Sequence, residues 1–320
     1  MTPPPRPAPY PPLEHLALAR GTLDRAAHRR ADEDWLAAIW RDPRTRILPV
    51  AAGRALVEYA GRGGQRPAAA LRLCSTVEAP AGERYLLGVD GNDRAYFAVG
   101  VDVLPFVPAD AAVEAGLREV GALLEDLETG LLVHAVALDN WHRTHTHCPR
   151  CGTPTEIALA GHVRRCPADG SEHYPRTDPA VIMAVVDDED RILLGHHAAW
   201  PARRFSTLAG FVEPGESLEQ AVAREVLEET GVEVGRSTYV GSQPWPFPSS
   251  LMLGFLAEAT TTRITTDDEE IVDARWFSRA ELAAAVTTDD VLLPPPVSIA
   301  RRLVEHWYGA PIPDGGGMWR

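Results

Sequence analysis

The sequence is poor in cysteine and has no long apolar stretch. It contains four cysteines in 320 residues, and no apolar run approaches the ~20 residues that a membrane-spanning helix needs. Cys148, Cys151 and Cys166 lie close together, which is typical of a metal site in a reducing compartment rather than a disulfide framework. Cys74 stands apart in an apolar stretch, so we predict that it lies in the core. These features favour a cytoplasmic protein without a membrane anchor.

Basic residues are also scarce. The chain has 31 Lys and Arg against 45 Asp and Glu, which gives a formal net charge of −14. Such a surface repels polyanions and argues against broad, non-specific binding of nucleic acid, but it is compatible with a local basic groove or a metal-assisted phosphate site. Segment 1–12 lacks the basic and apolar regions of a signal peptide, and its prolines predict a short disordered arm.

The patterning predicts two larger regions with a small insert between them. An N-terminal α+β domain spans 13–143, the insert spans 144–174, a second domain spans 175–310, and a glycine-rich tail spans 311–320. In the first domain we predict strands at 47–50, 55–57, 85–89 and 95–99, a helix over 110–127 that Gly130 stops, and a second helix over 131–141. No internal repeat is visible, and the residues of this domain look structural.

The second domain alternates strands and helices. We predict strands at 180–186, 191–195, 238–241, 251–257 and 274–277, and helices at 218–230, 278–285 and 297–308. Ser217 with Gln220, and Ser278 with Glu281, match capping boxes, and Gly231 suits a helix end. Hairpins mixed with helices predict an α/β or α+β sandwich rather than an all-parallel sheet.

The helix at 218–230 has an unusual cluster of carboxylates. Glu225 and Glu229 are four residues apart and share a face, and Glu228 lies three residues from Glu225. Carboxylates near a helix C-terminus repel each other and the helix dipole. Arg224 relieves part of that repulsion, and a divalent cation would relieve far more; oxygen ligands suit Mg²⁺ or Mn²⁺. The alternative is an ordinary solvated acidic face.

The order of these residues favours the metal site. The segment resembles the Nudix box, G-x5-E-x7-R-E-U-x-E-E-x-G-U with U aliphatic, at Gly210, Glu216, Arg224, Glu225, Val226, Glu228, Glu229, Gly231 and Val232. The resemblance implies an α/β/α sandwich that hydrolyses pyrophosphates with bound metal. It also implies that Glu225 and Glu229 ligate metal and that Glu228 ligates metal or helps to activate water. The Ala209 carbonyl and, from the 267–270 loop, Glu270 would complete the ligand set.

A second motif, Ser-Gln-Pro-Trp-Pro-Phe-Pro-x-Ser at 242–250, follows the box. Its prolines stiffen the loop and present Trp245 and Phe247 either for stacking on a base or for filling a local pocket. The motif resembles that of NADH pyrophosphatases, which include enzymes that remove NAD caps from RNA. The resemblance implies hydrolysis of NADH and NAD⁺ to nicotinamide mononucleotide and AMP, with NAD-capped RNA as a larger substrate, and a homodimer. It places in the pocket Tyr174, Ile182, Phe211, Gln243, Pro244, Trp245, Pro246, Phe247, Pro248, Ser249, Ser250 and Ala300, with Phe211 stacked on the nicotinamide.

The insert resembles the zinc ribbon of the same family. Cys148 and Cys151 form a knuckle in which two thiolates share one Zn²⁺, and Cys166 supplies a third. Relatives usually place a fourth cysteine three residues later, where this chain has Asp169. A structural Cys3Asp site is the prediction, with His173, His147 or loss of the site as alternatives. Relatives can also have a substrate-contacting acid in the ribbon where this chain has Gly161.

Two other functions compete with hydrolysis of NADH. One is a Nudix hydrolase for another nucleoside diphosphate derivative, such as ADP-ribose. The other is an inactive Nudix module that senses nucleotides, against which the intact Glu225, Glu228 and Glu229 argue.

Overall fold

A computed structural model describes residues 11–60, 68–108, 111–266 and 269–312. The chain divides into two compact units. The first comprises residues 11–17, 178–243 and 251–312, and the second comprises the described residues between 18 and 177 together with Pro244–Ser250. Residues 1–10 of the predicted arm and 313–320 of the predicted tail lie outside the described residues, and the predicted domain limits stay a prediction.

The second unit combines two small sheets, several helices and a three-stranded insert. Its helices are α1 (Glu33–Arg41), α2 (Leu117–Val120) and α3 (Asp126–Thr144), with 3-10 turns at Ala27–Arg29 and Leu159–Gly161. Its strands are β1 (Arg46–Val50), β2 (Arg54–Ala60), β3 (Ala68–Leu71), β4 (Glu83–Val89), β5 (Ala95–Gly100), β6 (Val113–Gly116), β7 (Glu156–Ala158), β8 (Val163–Arg165) and β9 (Glu172–His173). The sheet orders are β1-β5-β4, β3-β2-β6 and β7-β8-β9. β1 and β5 are parallel, and the other pairs are antiparallel.

The predicted strands of the N-terminal region are confirmed in β1, β2, β4 and β5, but the predicted helix over 110–127 is wrong. Val113–Gly116 is a strand because it pairs with β2, and only a single helical turn follows before α3 starts at Asp126. Gly130 lies inside α3 and does not stop it. A Cβ at Gly130 would lie 2.6 Å from the Cα of Gly21, so the glycine permits a close backbone approach.

The first unit is a sheet with helices on both faces. Its strands are β10 (Asp178–Val186), β11 (Ile192–His197), β12 (Leu208–Phe211), β13 (Val234–Trp245), β14 (Ser250–Ala259) and β15 (Ile271–Phe277), and its helices are α4 (Leu218–Thr230), α5 (Arg279–Thr287) and α6 (Ile299–Tyr308). The strand order is β13-β14-β10-β11-β15, and β12 pairs with β10.

Alternation along β10 explains the two faces. Val181, Met183 and Val185 pack with the apolar side of α4, whereas Ile182 and Ala184 pack with α5 and α6. Because both faces are covered, β10 has the continuous apolar sequence that marks a buried strand. The predicted α/β/α sandwich is therefore confirmed. No helix in the described part of the chain has the length and apolar character needed to cross a membrane.

Candidate functional site

The glutamate helix α4 begins and ends where the local sequence predicts. Ser217 Oγ accepts a hydrogen bond from the Gln220 backbone N–H at 3.2 Å, and Gln220 Oε1 accepts one from the Ser217 N–H at 2.8 Å. Gly231 ends the helix with φ of 67°, a left-handed conformation that glycine adopts without steric cost. These caps fix the register of the carboxylates along the helix.

Arg224 ties the carboxylates to the preceding loop. Its Nε and Nη2 donate to the two oxygens of Glu216 at 2.8 and 2.9 Å, and Nη2 also donates to the Phe211 carbonyl at 2.9 Å. Nη1 donates to Glu225 at 2.8 Å and to Glu228 at 3.0 Å. The Glu216 carboxylate, followed by Glu225 and Glu228, raises the pKa of Arg224 despite its burial. One guanidinium therefore holds loop and helix in a fixed arrangement.

Gly210 lets strand β12 approach the helix. A Cβ at this position would lie 1.9 Å from the Glu225 carboxylate carbon. The backbone of β12 is itself held by pairing with β10, in which Gly210 opposes Val181 and Ala209 opposes Ile182. No side chain fits between this backbone and Glu225, which explains why the box needs glycine here.

The glutamates differ in burial. Glu229 is 5% exposed, the Glu225 side chain is 14% exposed, and the Glu228 side chain is 60% exposed. Burial raises the pKa of Glu225 by more than the hydrogen bond and charge of Arg224 lower it, and the charges of Glu228 and Glu270 add smaller increases. The ionised cluster is thus electrostatically unfavourable by itself, and a divalent cation bound by hard oxygen ligands would reverse this. These residues fit a divalent metal.

Glu270 is near the same cluster, since its charge affects Glu225. Its backbone carbonyl accepts a hydrogen bond from Ala198 at 2.9 Å, which anchors this end of the 267–270 loop. His197 Nε2 lies 3.7 Å from Glu270 Oε1. The sequence analysis did not identify His197, because a lone histidine at a strand end carries no motif and only the fold brings it beside Glu270.

The motif loop divides between the units. Gln243, in the first unit, is fully buried, and its Nε2 donates to the Val297 carbonyl at 3.0 Å. Pro244–Ser250 belongs to the second unit. In that segment Pro246 is buried, Pro248 is exposed after a cis Phe247–Pro248 bond, and the half-buried residues are Pro244, Trp245, Phe247, Ser249 and Ser250.

The aromatic pair in this loop is well defined. The Trp245 and Phe247 rings meet edge to face, with centroids 4.9 Å apart, and the Phe247 N–H donates to the Trp245 carbonyl at 2.7 Å. Asn140 Nδ2 donates to the carbonyls of Pro246 and Pro248 at 3.0 and 3.2 Å. The Arg118 guanidinium lies over both rings, 4.4 Å from the Phe247 centroid and 5.7 Å from the Trp245 centroid.

The other predicted pocket residues fall into two classes. Ile182 and Ala300 are buried in the core on the α5–α6 side of the first unit. Phe211 is exposed at the end of β12, as stacking on a ligand would require. Tyr174, in the second unit, is also exposed, and its hydroxyl donates to Glu172 at 3.2 Å.

The insert contains two knuckles with the same backbone hydrogen bonds. In the first, the Gly152 N–H donates to the Cys148 carbonyl at 2.9 Å, and the Cys148 N–H donates to the Thr153 carbonyl at 2.8 Å. In the second, the Gly170 N–H donates to the Cys166 carbonyl and the Cys166 N–H to the Ser171 carbonyl, both at 2.9 Å. Gly152 and Gly170 have φ of 74° and 72°. Asp169 therefore occupies in the second knuckle the place that Cys151 has in the first.

The side chains at these positions fit one zinc ion. The ligand atoms of Cys148, Cys151, Cys166 and Asp169 all lie within 4.8 Å of one another. Cys151 and Cys166 sulfurs are 3.5 Å apart, and the Cys148 sulfur is 3.9 Å from Asp169 Oδ2. Tetrahedral Zn–S bonds predict ligand separations of about 3.8 Å.

Hydrogen bonds favour the ionised forms of Cys148 and Asp169, as metal ligands require, whereas burial raises the pKa of the Cys166 thiol to about 11. Although burial raises it, contact with the Ser171 hydroxyl, 3.5 Å away, and hydrogen bonds from the backbone N–H groups of Arg150 and Cys151 lower the pKa of the Cys148 thiol to about 6. Hydrogen bonds from Ser171 lower the pKa of Asp169 to about 2. The Ser171 hydroxyl and N–H both donate to Asp169 Oδ1, at 2.6 and 2.9 Å, which leaves Oδ2 to face the sulfurs.

A buried polar network joins this insert to the rest of the second unit. His142 Nε2 donates to the Gly161 carbonyl at 2.8 Å, and Arg164 Nη1 donates to His142 Nδ1 at 3.0 Å. The His142 and Tyr85 rings stack, with centroids 4.5 Å apart. His162 Nε2 contacts the Leu86 carbonyl at 2.8 Å. A Cβ at Gly161 would lie 2.9 Å from the Tyr85 Cα, so the acid that relatives can have there does not fit.

Comparison with protein families matches three consecutive segments. Residues 176–294 match the NUDIX domain, residues 143–174 match the NADH pyrophosphatase zinc ribbon domain, and residues 44–141 match the NADH pyrophosphatase-like rudimentary NUDIX domain. The chain thus holds two Nudix-type modules. No internal repeat is visible in the sequence because residues 44–141, hereafter the rudimentary domain, lack a Nudix box.

Curated relatives resemble nearly the whole chain. NAD-capped RNA hydrolase NudC of Mycobacterium bovis (strain BCG / Pasteur 1173P2) is 41% identical over 307 residues, which is 91% of this chain and 94% of that protein. NAD-capped RNA hydrolase NUDT12 of Homo sapiens is 35% identical over 341 residues, 91% of this chain and 72% of that protein. A solved NUDIX hydrolase from Nitrosomonas europaea aligns at TM-score 0.41 and 24% identity, over 52% of this chain and 94% of that one.

Proposed function

This chain belongs to the NADH pyrophosphatase family of Nudix hydrolases, and from that premise we propose that it hydrolyses the pyrophosphate of NADH and NAD⁺. Water attacks one phosphorus, the P–O–P bridge breaks, and the products are AMP and nicotinamide mononucleotide, which is in its reduced form when the substrate is NADH. NAD-capped RNA presents the same bond, so removal of the cap would leave a 5′-monophosphate on the RNA. The observation that carries this proposal is the assembly of Gly210, Arg224 and Glu225 around one carboxylate cluster in a chain that also has the family loop.

We assign roles to the residues of this cluster by resemblance and geometry. Glu225 and Glu229 are the proposed ligands of Mg²⁺ or Mn²⁺, with the Ala209 carbonyl and Glu270 completing the set. Glu228 is exposed and hydrogen-bonded to Arg224, which supports a role in ligating metal or in accepting a proton from water. When bound, the metal would lower the pKa of the attacking water and neutralise charge on the phosphoryl oxygens.

The substrate would be bound by aromatic and loop residues. Phe211 is the proposed stacking partner of the nicotinamide, and Trp245 and Phe247 are proposed to bind the substrate from the motif loop. Ile182, Gln243 and Ala300 are buried and would shape the pocket by packing. The remaining proposed contacts are Tyr174, Pro244, Pro246, Pro248, Ser249 and Ser250. We also propose a homodimer, which light scattering of the purified chain would test, and a structural zinc held by Cys148, Cys151, Cys166 and Asp169.

Turnover of NADH, NAD⁺ and ADP-ribose, measured side by side with Mg²⁺ or Mn²⁺, tests the proposed substrate. We expect nicotinamide mononucleotide and AMP to be released, and NADH to be the preferred substrate by kcat/KM. A clear preference for ADP-ribose would support the competing hydrolase, and no turnover of any of the three would support an inactive sensor. Turnover of NAD-capped RNA, measured under the same conditions, would show whether the enzyme prefers the free dinucleotide or the capped RNA.

Glu229→Gln tests the site itself. The substitution keeps the volume of the side chain and removes one ligand charge, so we expect kcat to fall by at least about 100-fold with an unchanged circular dichroism spectrum. Glu219→Gln is the matched control, because Glu219 is an exposed glutamate in the first turn of the same helix. Wild-type activity in Glu229→Gln would contradict the assignment.

A further inference from the structure

We propose that the rudimentary domain positions the aromatic loop for substrate, through Asn140 on α3 and Arg118 on α2. The proposal rests on the proposed role of Trp245 and Phe247 in binding the substrate. It gives a function to a domain that has lost the Nudix box: the domain fixes the shape of a loop that the catalytic domain's own sequence provides.

The loop belongs to the unit that contains the rudimentary domain. The turn between β13 and β14, together with the adjoining strand ends (Pro244–Ser250), groups with the second unit, whereas the rest of both strands belongs to the first. Residues 246–249 lie between the end of β13 and the start of β14, so strand pairing does not by itself fix their conformation. The conformation of this turn therefore depends also on the side chains that it contacts in the second unit.

Asn140 supplies hydrogen bonds that the loop cannot make for itself. Three residues of the loop are prolines, which have a carbonyl acceptor but no backbone N–H to donate. The two hydrogens of Asn140 Nδ2 go to the carbonyls of Pro246 and Pro248, on either side of Phe247. A single amide group thereby fixes the backbone on both sides of one aromatic residue.

Arg118 fixes the rings. Its guanidinium lies 4.4 Å from the Phe247 centroid and 5.7 Å from the Trp245 centroid, both within cation–π range. The Arg118 side chain is exposed, so its removal leaves no cavity in the core. Arg84, also in the rudimentary domain and also exposed, makes the same kind of contact with Trp40 of the second unit, at 3.9 Å. It therefore offers a matched control.

Steady-state kinetics with NADH gives the first test. In Asn140→Asp a carboxylate, which cannot donate, faces two carbonyls; Arg118→Ala removes the cation. We expect KM for NADH to rise roughly tenfold in Asn140→Asp and severalfold in Arg118→Ala, while kcat stays within about twofold because the glutamates are untouched. Arg118→Lys, which keeps the charge, should recover part of the loss. Arg84→Ala and Asn92→Asp, an exposed turn residue, should leave both constants unchanged.

Hydrogen exchange of the loop in the free protein gives a second test that needs no turnover. Amides of Phe247 and Ser249 should exchange roughly tenfold faster in Asn140→Asp and Arg118→Ala, without a comparable change elsewhere, and not in the two controls. Arg118→Ala keeps this test valid if Asn140→Asp does not fold.

The outcomes separate this inference from the proposed function. Absence of NADH turnover in the wild type would refute the proposed function, and therefore also a role for the loop in that reaction. Wild-type turnover with unchanged loop exchange in both variants would overturn the positioning role alone. Faster exchange with an unchanged KM would show that the loop is held for another purpose, and would also overturn the inference.

Discussion

Acidification should destabilise the second unit through its buried histidines. Burial lowers the pKa of His142 to about 4, of His162 to about 4 and of His134 to about 3, from an ordinary value of 6.5. His142 is the clearest case. Its Nδ1 accepts from Arg164 and its Nε2 donates to the Gly161 carbonyl, so a second proton would point at a guanidinium.

The charged and titratable groups around His142 come from several elements. Arg164 on β8 disfavours its protonation, and the stacked Tyr85 on β4 covers one ring face. On α3 itself, Asp139 is buried and accepts from Arg143 at 2.8 Å. His142 also raises the cost of protonating His162. The ring is therefore held neutral by burial and by a fixed cation.

The direction and size of the effect follow from proton linkage. The folded state resists protonation whereas the unfolded chain protonates below pH 6.5, so stability is complete above 6.5 and is lost as the pH falls towards about 4. Between about pH 7 and about pH 5.5 each histidine costs about 1 kcal/mol, so the three together cost about 3 kcal/mol.

Urea unfolding of wild type and His142→Gln at these two pH values would measure this effect. Glutamine can donate to the Gly161 carbonyl and accept from Arg164 but does not titrate. We expect the variant to lose about 1 kcal/mol less than wild type over this interval. His28→Gln, which removes an exposed histidine of the same unit, is the control. Equal losses in wild type and His142→Gln would refute the reasoning.

Two further substitutions test the glycine contact and the fourth zinc ligand. Gly210→Ala should lower kcat by about 100-fold or more while the helical spectrum is kept, because the new methyl group would displace the Glu225 carboxylate; kcat within tenfold of wild type would contradict this. Asp169→Cys should hold zinc at least about tenfold more tightly in chelator competition, and Asp169→Ala should lose it. Full zinc content in Asp169→Ala would exclude Asp169 as a ligand.

The sequence was sufficient where interactions are local. The start of α4 at Ser217 and its end at Gly231 follow from hydrogen bonds within a few residues, and both were predictable. The sandwich was predictable from the succession of strands, hairpins and helices, and the continuous apolar run of β10 marks a strand that is buried on both faces. The first knuckle was equally clear, since its ligand spacing is a property of one short turn.

Other features needed the tertiary structure, because they depend on residues far apart in the chain. Gly130 looked like a helix stop but is a packing contact with Gly21, and nothing local distinguishes the two. Asp169 was expected as the fourth ligand from its spacing after Cys166, but only the structure shows that the two knuckles share the same backbone hydrogen bonds.

The residues that carry the chemistry can be read from the sequence, whereas the residues that position them cannot. The glutamate helix and the proline-rich loop are recognisable from the sequence, because the proposed reaction and substrate require those residue types at those spacings. Which residues hold them in place was decided by the fold. His197 reaches Glu270 from another strand, and Asn140 and Arg118 meet the loop across more than a hundred residues of chain. Contacts between distant segments leave no periodicity or spacing, so only the folded chain reveals them.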